Sequence, residues 1–298
     1  MLKKLSRRLR DFLLRPLVEE LGELRKKQAQ VADLDGQLDE IRQFCQHTDH
    51  FTTEQIKTLK LMSLGPDRII AFMHQGMIPI RFYVPKGGVD FIQSFQLTYE
   101  SFYEAEILAN LNDFVKGKAV LDIGANVGNH VVYWSKVSKA KTIKAFEPIP
   151  ELFGILERNV AINELANVGA FNFALGRATG FGSPSSNAAN RMMSEIIEGA
   201  DADGIKIAAL DDLGIEEADF VKIDVEGFTL GVLQGAQQTL QRLRPALFVE
   251  IFDRDMDDCY SLLSAMGYQK VLDYPDYNYF FVHHDRPFTG ELPAGLPA

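Results

Sequence analysis

The stretch Ala119–Val132, AVLDIGANVGNHVV, decides the fold. It opens on three apolar residues, Ala119, Val120 and Leu121, as a fully buried strand does. It then passes an acid, Asp122, into a turn holding Gly124, Asn126 and Gly128, and leaves with Val131, Val132 and Trp134 in a helical pattern. Strand, glycine turn and helix start make the phosphate- or nucleoside-binding corner of an α/β sheet. The glycines let the backbone approach a ligand where a Cβ would collide. A second short strand, Thr142–Phe146, ends in Glu147. An acid roughly 20 residues past such a corner can take the hydroxyls of a ribose.

The dinucleotide fingerprint is G-x-G-x-x-G. Here the run is Gly124-Ala125-Asn126-Val127-Gly128, so asparagine stands where the middle glycine would be. A pyrophosphate needs close backbone approach, and this loop offers less of it. Asp122 ahead of the loop suits a ligand carrying positive charge. S-adenosylmethionine fits that description, with a sulfonium, an ammonium and a ribose but no phosphate.

Outward from the corner, the chain alternates strand and helix, the signature of a parallel sheet. The expected strands are Ala119–Ile123, Thr142–Phe146, Val168–Ala174, Phe220–Asp224, Ala246–Ile251, Gln269–Tyr274 and Tyr279–His284. The expected helices between them are His130–Ser138, Pro150–Asn163, Thr229–Leu243 and Asp257–Met266. Between Gly176 and Gly204 serine, glycine, asparagine and alanine dominate, and a long loop there reads as a substrate lid.

Three stretches, LDIGANVGNH, AFEPIP, and VKIDVEGFTLGVLQGA followed by RPALFVEIF, resemble the FkbM-type methyltransferase family. The likeness runs from about Ile78 to His284, with the three motifs in order. It implies a class I, Rossmann-like α/β methyltransferase sheet of seven strands whose final strand is antiparallel. It also implies S-adenosylmethionine as cofactor and a hydroxyl of a sugar, glycan or related natural product as acceptor. By that resemblance Asp122, Gly124, Asn126 and Gly128 would line the methionine part, Glu147 would bind the ribose, and Glu104, after Phe102-Tyr103, would stand near the cofactor. Asn129 and Ala174 complete the expected cofactor-binding set. The family's KxDxEG step falls on Lys222, Asp224, Glu226 and Gly227; where many relatives have a further acid, this chain has Phe228-Thr229.

The residues suggest how the proton of an acceptor hydroxyl leaves. Ligands bind beyond the carboxyl ends of parallel strands. Asp224 ends one expected strand, Glu226 follows it, and Glu250 nears the end of the next. Buried carboxylates are costly unless used or paired, and apolar neighbours raise their pKa toward that of a useful base. The expected catalytic order is Asp224, Glu250, Glu226, with Lys222 alternatively pairing with one of them. Three carboxylates also suit Mg²⁺, but no spacing demands a metal. His130 reads as packing beside the loop or as a base. A nicotinamide-dependent oxidoreductase and a membrane-associated or oligomeric nucleoside-binding scaffold are the competing readings.

The chain has 298 residues, 46% of them hydrophobic, enough for one large domain or two modest ones. A net charge of −10 argues against general nucleic-acid binding. Met1–Gln30 nonetheless holds nine Lys and Arg against four acids. Met1–Arg15 spaces Leu2, Leu5, Leu9, Phe12 and Leu13 as a basic amphipathic helix that can touch a membrane surface or pack on protein. Leu17–Cys45 carries a broken coiled-coil seam, read as joining copies into a homo-oligomer, with a folded-back helical hairpin as the alternative. A helix is expected over Thr48–Leu64, a hairpin over Arg68–His74 and Ile78–Val84, and over Phe91–Leu111 a mostly apolar and aromatic run that ends as a helix leading into the core and covers one side of the cleft. The expected bodies are 1–47 (helix and coil), 48–100 (extension), 101–290 (methyltransferase domain) and 291–298 (tail). Cys45 and Cys259 read as reduced thiols, and the lack of a signal peptide or an 18-residue apolar run reads as cytoplasmic.

Overall fold

The computed structural model describes residues 53–184, 196–198 and 204–286. The basic helix, the coil, the start of the Thr48–Leu64 helix, Cys45 and the tail from Pro287 lie outside them. Contacts divide the chain between Leu59 and Lys60. Among the described residues no helix is long and apolar enough to cross a membrane.

Residues 53–63 are helical. Strands β1 (Ile69–His74) and β2 (Ile78–Tyr83) form the expected antiparallel hairpin, in register from Ile69 opposite Tyr83 to His74 opposite Ile78. The run after them forms three helices with a break after the first, α1 (Phe91–Tyr99), α2 (Ala105–Asn110) and α3 (Asn112–Val115). The break has a local cause: Glu100 and Glu104 both adopt left-handed backbone, at φ 49° and 55°. The Asn129 side chain holds the turn between them, accepting from the Tyr103 amide (3.1 Å) and donating to the Tyr103 carbonyl (2.9 Å).

The main sheet comprises β3 (Ala119–Ile123), β4 (Thr142–Phe146), β5 (Val168–Phe171), β10 (Phe220–Ile223), β11 (Ala246–Glu250), β12 (Tyr268–Tyr274) and β13 (Asn278–His283), in the order β12-β13-β11-β10-β3-β4-β5. Five strands are parallel, and β13 runs antiparallel to both its neighbours. Helices α4 (Asn129–Lys136) and α5 (Pro150–Ile162) link the first three parallel strands. Helices α6 (Thr229–Gln234) and α7 (Gln237–Leu243) stand where one helix is expected; the pair divides at Gly235, which the backbone of Gly176 crosses. Helix α8 (Met256–Ala265) precedes β12.

Two further departures share a cause. β5 stops at Phe171 because Asn172 turns its amide onto the carbonyls of Glu147 (2.9 Å) and Pro148 (3.1 Å). The chain then joins a second, four-stranded sheet, β6 (Ala174–Leu175), β9 (Ile205–Ala208), β7 (Gly180–Pro184) and β8 (Ile196–Glu198), in that spatial order. The Gly176–Gly204 stretch is therefore partly strand, with backbone pairing where side-chain pattern gave no sign. Its remainder lies outside the described residues, as does that part of the lid reading.

Alternation along the buried strands sends neighbouring residues to opposite faces. Val120 and Phe220 join one core with Trp134, Phe102, Ile80 and Phe82; Leu121, Ile123, Val221 and Val249 join the other with Leu240 and Leu263. The hairpin and α1 thus share a core with the sheet, so no separate extension runs from residue 60 to 100. The open edge of β2 is closed by two asparagines one turn apart, Asn159 on α5 and Asn163 at its C-cap. Asn163 and Asn159 accept from the amides of Arg81 (3.0 Å) and Tyr83 (2.7 Å), and Asn159 also donates to the Val127 carbonyl (2.7 Å). Leaving such buried groups unpaired costs about 1–3 kcal/mol each.

Candidate active site

Strand order reverses between β3 and β10: the chain proceeds from β3 outward through β4 and β5, then returns to build β10 and β11 on the other side. Ligand crevices form at such a point, beyond the carboxyl ends of the strands. A cavity lies there. Gly124, Ala125, Asn126, Asn129 and His130 line it from the corner, Phe146, Glu147 and Ile149 from the end of β4, and Asp224, Glu226 and Glu250 from the ends of β10 and β11.

The corner is built differently from expectation. A Cβ on Gly124 (φ 81°) would lie 1.8 Å from the Asp224 carbonyl, and one on Gly128 (φ 85°) would lie 2.7 Å from Leu156 Cδ1. Both glycines make room for the protein itself, and Gly128 does not line the cavity. The loop amides are likewise committed. Those of Gly124 and Ala125 donate to Phe146 O, that of Asn126 to Glu147 Oε2, that of Val127 to Asn126 Oδ1, and that of Gly128 to Ala125 O. No amide from Gly124 to Gly128 is left to cradle a phosphate.

Glu147 lines the cavity while only 4% exposed. Oε2 accepts from the Asn126 amide and Oε1 from the Ile149 amide, both at 2.8 Å. Each oxygen has a second lone pair for a ligand hydroxyl. Burial pushes this carboxyl up to about 7, against the pull of the two amides.

Asp122 is fully buried and lies behind the loop, outside the cavity lining. Its Oδ1 meets Lys222 Nζ at 3.1 Å. That ammonium also reaches Asp224 Oδ2 (3.2 Å) and the Gly124 carbonyl (2.9 Å). Burial alone would lower the lysine pKa; Asp122 and Asp224 more than offset it and hold Lys222 charged. Gly124 and Asn126 therefore line the cavity, whereas Asp122 and Gly128 lie behind it in the scaffold.

One carboxylate oxygen each from Asp224, Glu226 and Glu250 lie within 4.8 Å of one another. Burial and the charge of Asp224 raise Glu226 to about 7. Burial, Asp224 and then Glu226 raise Glu250 to about 8, against Lys222 and an amide hydrogen bond. Glu250 Oε2 is buried with no hydrogen-bond partner. Glu104 Oε2 lies 3.3 Å from His130 Nε2, an ion-pair distance off the line of a hydrogen bond. Burial would raise the Glu104 carboxyl, but His130 and Lys222 hold it below its ordinary value. Asn129 lines the cavity but spends its amide on Tyr103 and Gln96, so it positions the Tyr103–Glu104 turn. Ala174 lines the far side beside Phe173.

Sequence reading missed Phe91, Asp276 and Asn278, which also line the cavity. A signal existed: an antiparallel last strand must begin where the parallel strands end. Glu250 in fact pairs with Asn278, which brings the turn before β13 to the cleft.

These carboxyls predict a pH dependence of stability. Glu147, Glu226 and Glu250 start from an ordinary value of 4.5 and are raised in the fold. Their contribution is complete below about pH 4.5 and is lost as pH rises through 7 to 8. Cys259, buried and raised to about 12 from 9, acts with the same sign. His74 and His283 are depressed by burial and act oppositely, but only below their ordinary 6.5. The melting temperature should therefore fall between pH 7 and pH 9; calorimetry giving a rise would contradict the burial of these groups.

The chain is similar to known methyltransferases. The model of the methyltransferase FkbM domain matches residues 122–270. Methyltransferase 1 of Beauveria bassiana (strain ARSEF 2860) is 23% identical over 186 residues, 53% of this chain and 75% of that protein. Methyltransferase sdnD of Sordaria araneosa is 26% identical over 171 residues, 45% of this chain and 66% of that protein. Among solved structures, methyltransferase FkbM from Methylobacillus flagellatus KT superposes with a TM-score of 0.44 at 19% identity, covering 64% of this chain and about half, 52%, of that one. Another is M. jannaschii TYW2 in complex with AdoMet, with a TM-score of 0.38 at 15% identity, over 74% of this chain and 85% of that one. Since the family model spans half of the residues, including the glycine corner and all three clustered carboxylates, the chain belongs to the FkbM family of methyltransferases.

Proposed function

We propose that the chain is an S-adenosylmethionine-dependent O-methyltransferase acting on a hydroxyl of a sugar, glycan or related natural product. The observation that carries this reading is the saturated corner. With every amide from Gly124 to Gly128 already bonded, a pyrophosphate finds no donors, whereas Glu147 keeps lone pairs for ribose hydroxyls. Glu104, whose carboxyl is held below its ordinary value, lines the cavity beside Asp224, an acidic wall that suits a ligand bearing sulfonium and ammonium charge.

Bound there, S-adenosylmethionine supplies an activated methyl group on a good leaving group. The chain must then align an acceptor, worth about 7–11 kcal/mol, and take its proton as the new bond forms. Among the three carboxylates, the ion pair with Lys222 occupies Asp224, so the order that puts Asp224 first gives way. Glu250, with its unpartnered Oε2, takes the proton in this reading; Glu226 sits beside it, and Lys222 fixes Asp224.

Glu147→Ala should weaken S-adenosylmethionine binding at least ten-fold, about 1.4 kcal/mol. Titration calorimetry on a variant with an unchanged circular dichroism spectrum measures this. Unaltered affinity would remove Glu147 from the ribose site.

A further inference from the structure

The cavity also has an aromatic rim. Phe91 is 58% exposed yet lines the cavity. Its place is fixed, because Asp90 caps α1 through the Gln93 amide (2.9 Å), making Phe91 the first residue of the helix. Its ring meets Tyr103 edge-on at 5.5 Å and 85°, and Tyr103 meets Phe95 at 5.6 Å and 77°. A large apolar side chain held exposed at a cavity mouth is informative in a way that a scattered surface residue is not. Aromatic rings there offer a flat surface for the apolar face of another ring, and the Tyr103 hydroxyl adds a polar handle. Burial, with Glu104, Asp276, Asp224 and Glu226 nearby, pushes that phenol up to about 12, so it remains a hydrogen-bond donor throughout the working pH range.

The turn before β13 supplies the complement. Asp276 and Tyr277 adopt left-handed backbone at φ 58° and 61°, and the Asn278 amide ties the turn by donating to the carbonyls of Pro275 and Asp276, both at 3.1 Å. Asp276 lines the same cavity as Phe91 and Tyr103 and offers only acceptor oxygens when ionised. An anionic acceptor would meet like charge from Asp276, and like-charge juxtaposition is an effective means of rejection.

We propose that the methyl acceptor packs on Phe91 and Tyr103 with its hydrogen-bond donors turned to Asp276, and is a ring compound rich in hydroxyl or ammonium donors and free of anionic groups near the methylated position. The proposal rests on the donor assignment above and extends it to the second substrate. It assigns the rim to acceptor selection and the corner to the donor.

The test uses the full chain saturated with S-adenosylhomocysteine and two probes, methyl β-D-glucopyranoside and methyl β-D-glucuronide, which differ by one carboxylate. Saturation-transfer NMR should find the glucoside bound at least ten-fold more tightly. Phe91→Ala should abolish glucoside binding, and Asp276→Asn should narrow the gap between the probes, while S-adenosylhomocysteine affinity stays within two-fold in both variants. Equal binding of the probes, no binding of the glucoside, or indifference to Phe91→Ala overturns the proposal while leaving the donor assignment standing. Failure of S-adenosylhomocysteine to bind the native chain takes down both.

Discussion

Lys222→Met is expected to destabilise the folded unit by about 3–5 kcal/mol, the usual cost of removing one partner from a buried ion pair. Lys222 is 2% exposed, and its ammonium is satisfied by Asp122, Asp224 and the Gly124 carbonyl. Asp122 is fully buried, and its Oδ2 already has no partner. Without the lysine it would face desolvation with nothing to offset it. Asp224 is less affected because its side chain is 36% exposed and water screens it. For a unit of this size each kcal/mol shifts the melting temperature by about 2–4 °C, so a fall of about 6–20 °C should be read in a thermal melt. Adding Asp122→Leu should recover part of the loss, because an apolar pair of similar volume can replace a buried ion pair at little cost. A single variant melting within about 3 °C of the native chain would show that the triad does not hold β3 to β10.

Glu250→Gln should lower kcat by about 100- to 10,000-fold, the range over which a positioned base contributes. The amide keeps the shape of the side chain but cannot accept the acceptor's proton. Affinity for S-adenosylmethionine should stay within about two-fold, because Glu250 belongs to the acid cluster rather than to the ribose corner. The pH profile supplies an independent reading. A base works deprotonated, so kcat/KM of the native enzyme should rise as pH passes about 8, the raised value of Glu250. That limb should vanish in the variant. A kcat within three-fold of native, or a rising limb that survives the change, would exclude Glu250 as proton acceptor and return attention to Asp224.

The central sheet was legible because its signals are local and repeat. Apolar runs such as Ala119–Ile123 and Thr142–Phe146 are short, buried and separated by helical spacing, and the structure places both strands at those bounds. The elements that sequence reading extended too far all break through non-local contacts. Asn172 leaves its strand to bond carbonyls after β4, and Gly235 is crossed by the backbone of Gly176. None of these partners stands within a window that periodicity samples. The second sheet escaped notice for a related reason. Gly180 and Gly182 bring backbone and no side chains to their pairing with Ile207 and Ile205, so no alternation marks them.

For the site, residue types were legible but their division of labour was not. Asp122, Gly124, Gly128 and Asn129 were expected to meet the ligand because they stand in the ligand-binding corner. In the folded chain Asp122 anchors Lys222 and Gly128 admits Leu156, both outside the lining, while Gly124 and Asn129 combine a place in the lining with a scaffold duty. Distinguishing those duties requires knowing what lies behind the loop, which depends on β10 and α5.

The pair Asn159 and Asn163 reaches further than edge closure. Through Asn159 a single side chain joins the amide of Tyr83, at the end of β2, to the carbonyl of Val127 inside the glycine turn. The glycine turn is thereby braced from behind by a side chain outside the cavity lining. If the rim selects the acceptor as proposed, substitutions there would change which molecule is methylated without touching that brace.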